Sequence, residues 1–153
     1  MRIKNLFIIL FLCYTSICFS QNRLFEKFAE LDDVTSVVIS KKMFEMMPNV
    51  ETGHLNLKSI KNKIHELVIL TTENSSEKER MKKELNQLMG TTYEKLMLIK
   101  EQGSHVSFYV LEKREWIHEL IMLVDGETEF VAIQLKGQFT LKDIQQITED
   151  IQL

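Results

Sequence analysis

Three groups of residues in this chain have types and spacings that can carry chemistry. Met43, Met46 and Met47 fall within five residues of SVVISKKMFEMMP (residues 36–48), which closes on the chain's only proline. Thioethers are soft donors that suit Cu(I), and Met43 and Met47 stand one helical turn apart. Ser75-Ser76-Glu77-Lys78 matches Ser-x-x-Lys, in which a lysine one turn beyond a serine helps to take its proton. His65-Glu66 and His118-Glu119 each begin like the His-Glu-x-x-His helix of zinc proteases.

Each pattern meets a plainer reading. The two serines lie where a helix needs an N-cap, and neither Ser-Asp-Asn nor Lys-Thr-Gly follows. A zinc helix needs a second histidine four residues after the first, but those positions hold Ile69 and Met122. Both His-Glu pairs also fall in expected strands, where adjacent side chains point to opposite faces. His54, His65, His105 and His118 therefore read as surface histidines. Phe44 lies within the arc of the methionines, so the segment after Ser40 reads as a short capped helix packing on a core. A partner-binding surface and a Cu(I) site are the alternatives. The carboxylates offer no contrasted acid–base pair, and the isolated glycines form no phosphate loop. No catalytic, cofactor-binding or metal-binding residue is assigned, and no cofactor is expected.

The chain's beginning bears on location. Residues 1–20, MRIKNLFIILFLCYTSICFS, have the layout of a signal peptide, with basic Arg2 and Lys4, an apolar run from Leu6 to Leu12, and small Ser20 at the end. The apolar run is shorter than a membrane span requires. Cleavage before Gln21 is the favoured reading. Lipidation at Cys18 is an alternative that Ile17 disfavours, and an uncleaved anchor is the third. Both cysteines lie in this leader, which excludes cysteine catalysis, zinc–thiolate sites and disulfides from residues 21–153. Without Arg2 and Lys4, 17 basic residues face 22 acidic ones, a formal charge of −5. The basic residues are scattered, which argues against nucleic acid and anionic lipid as partners.

Residues 21–153 have the length of one domain. Helices are expected around Leu24, Phe25, Phe28 and Leu31, ended by Asp32-Asp33, and between Leu57 and Ile64 with Asn56 as a cap. A third starts at Asn74 or Ser76, each with a glutamate three residues on, and ends at Gly90. The last is capped by Thr140, with Asp143 at its third position, a stripe of Leu141, Ile144, Ile147 and Ile151, and Phe139 stapled onto Ile144. Strands are expected over 34–39 and 66–72. Four more form a meander over 93–101, 105–112, 116–124 and 129–136, with turns at Gln102-Gly103, Lys113-Arg114 and Asp125-Gly126. Val106, Phe108 and Val110 alternate with His105, Ser107, Tyr109 and Leu111, giving an apolar and a wetter face. The fold expected is α+β, an antiparallel-rich sheet with helices packed on it.

FEKFAELDDVTSVVISKKMFEMMP, ELVILTTEN, YEKLMLIKEQGSHVSFYV and ELIMLVDGETEFVAIQLKGQFTLKDIQQIT follow one another in an order that resembles a family of exported Bacteroidetes proteins, domain of unknown function 4252. The resemblance spans Leu24 to Ile147. It implies an envelope or secreted location and brings no activity or catalytic residues with it. Many members look like lipoproteins, and Ile17 departs from that pattern. Together these features favour a non-catalytic exported domain that binds an envelope protein or other ligand through a sheet or helix face. A small enzyme whose site assembles only in three dimensions, and a soft-metal protein, are the competing classes.

Overall fold

The computed structural model describes residues 22–47, 51–52, 55–57 and 59–149. The leader, His54, Pro48 and Ile151 lie outside the described residues. In chain order the elements are α1 (Asn22–Ala29), β1 (Thr35–Ser40), α2 (Lys41–Met46), β2 (Glu51–Thr52), β3 (Leu55–Asn56), a 3₁₀ turn (Lys61–Lys63), β4 (Ile64–Thr72), α3 (Ser75–Thr92), β5 (Glu94–Glu101), β6 (Ser104–Lys113), β7 (Trp116–Asp125), β8 (Phe130–Phe139) and α4 (Leu141–Glu149). Six strands form one antiparallel sheet in the order β1-β4-β8-β7-β6-β5, and β2 pairs with β3 in a separate small ribbon. The expected meander is β5 to β8, and the fold is α+β.

Strand alternation divides the apolar residues between two cores. Val106, Phe108 and Val110 of β6, with Leu120 and Met122 of β7 and Ile133 and Leu135 of β8, face one way. Phe44 of α2, Leu57, Ile60, and Ile144 and Ile147 of α4 cover that face. Tyr109, Leu111, Ile121, Leu123, Phe130 and Ala132 face the other way, under Phe25 and Phe28 of α1 and Met81, Leu85 and Met89 of α3. The face that reads as wetter in sequence is therefore also a core, and its polar residues, His105 and Ser107, gather at one end of β6.

Helix starts follow the side chains that satisfy free backbone N–H groups. Of the two candidate caps for α3, Asn74 is the one used. Its Oδ1 accepts from the N–H groups of Ser76 and Glu77 at 2.9 and 3.1 Å. At α4, Thr140 and Asp143 form a reciprocal box. The Asp143 carboxylate accepts from the Thr140 N–H and hydroxyl, each at 2.8 Å, and the Asp143 N–H donates to the Thr140 hydroxyl at 3.2 Å.

Several expectations need correction. Between Leu57 and Ile64 the described residues contain a 3₁₀ turn at Lys61–Lys63 rather than an α-helix, and Ile64 opens β4. Leu57, Ile60 and Ile64 are fully buried, so their spacing reflects packing against the sheet. Gly90 does not end α3. The helix continues to Thr92, and Tyr93 receives it into β5. Asp125-Gly126 does mark a hairpin, but its loop spans residues 126–129, closed by Gly126 N–H donating to the Glu129 carbonyl at 3.0 Å. Positive φ appears instead at Gly103 (79°) and Arg114 (54°), in the other two meander turns. Ser40 sits at the N-cap of α2 without a side-chain capping bond. In that helix Phe44 is the buried anchor, Met47 packs only partly on the core, and Met43 and Met46 stand out into solvent. A six-residue helix offers too little surface for the whole methionine arc to reach the sheet.

Candidate functional site

Of the residues that resemble catalytic motifs, Lys78, Glu66 and Glu119 are engaged in bonds within the fold. Asn74, not a serine, is the cap that organises the start of α3. Lys78 donates to the carbonyls of Gly126 and Glu127 and pairs with Asp125 at 3.5 Å, which ties α3 to the β7–β8 loop. Glu66 pairs with Lys136 across the β4–β8 boundary at 2.6 Å. His65 is exposed beside it. Asp33 accepts from the Asn74 side chain at 3.1 Å, and its carbonyl accepts from the Thr72 hydroxyl at 2.8 Å, so the second residue of the Asp32-Asp33 pair also fixes the start of α3.

Glu119 sits in a polar cluster on the α1/α3 side of the sheet. The Tyr93 hydroxyl and the Gln134 amide donate to the same carboxylate oxygen at 2.7 and 2.9 Å. Burial, and then the adjacent Glu119 charge, push the Tyr93 hydroxyl far above its ordinary value, so it remains a neutral donor. Gln134 is fully buried. This cluster brings a carboxylate, a phenol and an amide together, and sequence reading missed it because Glu119 and Gln134 meet through the β7–β8 register and Tyr93 reaches them from the end of α3.

A cavity of about 150 Å³ lies between α3 and the ends of β6, β7 and β8, lined by Lys82, Asn86, His105, Ser107, Leu123, Asp125 and Phe130. It is the place where topology gathers a histidine, a serine, a carboxylate and a lysine. Lys82 pairs with Asp125 at 2.9 Å and with Glu79 at 3.4 Å. The Asp125 hydrogen bond raises the Lys82 ammonium above its ordinary value, against some burial, and keeps it charged. No hydrogen bond joins Ser107 to His105 among the described residues. The geometry suits a charged seam that holds the helix on the sheet. An open groove of about 420 Å³ runs between α1 and α3 past Arg23, Lys27, Gln87 and Thr91, with Lys27 and Glu84 paired across it at 2.6 Å. Lys27 holds the Glu84 carboxyl below its usual range. Among the described residues, no three of the His, Cys, Asp and Glu side chains converge as a metal cluster.

The most unusual surface is apolar. It comprises β1, which pairs only with β4 among the described strands, and the helix that follows it. Val37 and Val38 are 45% and 59% exposed, and Met43 and Met46 are 48% and 69% exposed. Thr35–Ser40 carries no charge, no proline and no register shift against β4. Natural sheets ordinarily guard an open edge with one of these devices, because a free row of N–H and C=O groups invites another strand. The methionine segment singled out in the sequence therefore lies at the candidate site, as an exposed flank.

A family model described as Domain of unknown function (DUF4252) matches residues 25–147, and the chain belongs to that family. Neither the curated proteins nor the solved structures contain a match to the chain.

Proposed function

We propose that this family member is a non-catalytic exported domain, resident in the cell envelope or secreted, that binds a protein partner through the β1 edge and α2. The observation that carries this reading is the concentration of Val37, Val38, Met43 and Met46, all substantially exposed, on one unguarded sheet edge. An added strand would complete the backbone hydrogen bonding of β1, while alternate side chains and the flexible methionines supply an adaptable apolar contact. The polar clusters favour the same reading from the opposite side. Lys78, Lys82, Asp125, Glu119 and Tyr93 are all engaged in bonds that hold the fold. Export rests on the leader-like residues 1–20. Among the described residues, no helix is long and apolar enough to cross a membrane.

Capture of envelope proteins by the processed chain tests the reading. Val38→Lys is expected to abolish capture and Leu98→Lys, on the opposite edge, to leave it intact. Equal capture by both variants would remove β1 from consideration. N-terminal sequencing of the exported protein is expected to begin at Gln21, and a start at Cys18 would indicate lipid anchoring instead.

A further inference from the structure

We infer that the occupant of the β1 edge is a second copy of this chain, joined by antiparallel β1–β1 pairing into a continuous twelve-stranded sheet about a two-fold axis at Val38. This rests on the reading of β1 as the binding edge and names its partner. The strand is self-complementary in that register. Val38 lies opposite Val38 of the second copy, Val37 opposite Ile39, and Ser36 opposite Ser40, so apolar meets apolar and hydroxyl meets hydroxyl on each face. The register centred on Val37 would instead place Ser36 against Val38 and Thr35 against Ile39. A two-fold axis normal to the sheet also requires paired residues to share a face, which the Val38 register satisfies. Val37 would then extend the first core across the axis, because its neighbour on that face, Ile39, already packs against it.

Charge supports the same partner. Exposed Asp32 and Asp33 precede β1, and exposed Lys41 and Lys42 follow it. Antiparallel pairing of two copies brings the acidic start of each strand beside the basic end of the other. Parallel pairing would align like with like. The α2 helices, which lie over the same face of the sheet through Phe44, come to flank the axis, where Met43 and Met46 are free to pack across it. Strand pairing alone covers little surface, and these side chains supply the additional apolar area that a stable dimer needs.

Light scattering and sedimentation of the protein purified after export test the inference. Wild type is expected at twice the chain mass, and Val38→Lys, which sets two ammonium groups opposite each other, is expected to weaken self-association at least about tenfold. Unchanged circular dichroism would show that this exposed substitution leaves the fold intact. Because both native cysteines lie in the leader, Val38→Cys introduces a single thiol into the processed chain. Mild oxidation or a short thiol-to-thiol reagent is expected to link Val38→Cys into covalent dimers, with Leu98→Cys forming no covalent link. A wild-type protein that stays monomeric overturns the second-copy assignment. If Val38→Lys then still abolishes capture of an envelope protein, the β1 reading survives with another partner, and if it does not, both fall. Cross-linking at Leu98→Cys alone would overturn both by moving the interface to β5.

Discussion

The two edges of the sheet differ in how they meet water. Strand β5 displays Leu96 and Leu98, yet Glu94 and Lys95 precede them and Lys100 and Glu101 follow, and the register shifts between Lys95 and Met97. The Lys95 ammonium also lies 5.5 Å from the centre of the Tyr109 ring. Strand β1 displays Val37 and Val38 with none of these protections. Charge and a bulge are the ordinary means of keeping an edge from pairing. Their presence on one edge and absence from the other is the contrast on which the proposed role of β1 rests.

The largest expected effect separates the two edges through the anchor of α2. Phe44→Ala removes a fully buried ring from the first core and should destabilise the protein by about 3–5 kcal/mol in denaturant titration. Amide exchange should accelerate in β1 and α2 well before β5. Gly137→Ala strikes the centre of the sheet, where a Cβ would overlap the Lys63 carbonyl and the Phe139 ring. The carbonyl belongs to the backbone and cannot swing aside, so a cost of about 1–3 kcal/mol is expected, felt at both edges alike.

Asp143→Ala should come next, at about 1–2 kcal/mol, for the loss of the α4 cap and its bonds to Lys63. Burial opposes ionisation of Asp143, but the Lys63 ammonium and the Thr140 donors outweigh it and hold the carboxyl below its ordinary range. A depressed native value means that this stabilisation is present in full above the unfolded value of about 4 and fades as pH falls through the native one. Denaturation of wild type and variant at pH 7 and pH 3 should therefore give a gap that narrows at the lower pH. Neither edge should change its exchange pattern relative to the other.

The smallest effect on stability sharpens the contrast most. Lys95→Val with Lys100→Val should shift stability by no more than about 0.5 kcal/mol, since both side chains lie at the surface. It should nevertheless create a second unguarded edge and drive assembly beyond the dimer, visible by light scattering. An unchanged mass would mean that the charges of β5 are not what protects it.

Much of the fold is legible in the sequence because its signals are local. The Thr140–Asp143 box, the cap ahead of α3 and the three meander turns act within a few residues of themselves. Where tertiary packing decides, sequence spacing misleads. Leu57, Ile60 and Ile64 have helical spacing but are set by the sheet beneath them, and Gly90 ends nothing, since the helix runs on to Thr92 and closes with the Tyr93 N–H donating to the Met89 carbonyl. The candidate site is legible as a segment and not as a surface. The methionine run stands out by composition, but its exposure depends on the brevity of α2 and on β1 being last in the sheet order, which no neighbouring residue announces. Tyr93, Glu119 and Gln134 illustrate the same limit in the interior.

Amide hydrogen exchange along β1 and β5, followed as protein concentration rises, tests the contrast most directly. Outward-pointing amides of Thr35–Ser40 should become protected with concentration, while those of Glu94–Glu101 continue to exchange at a constant rate. Protection that grows in β5 while β1 stays open would contradict the assignment.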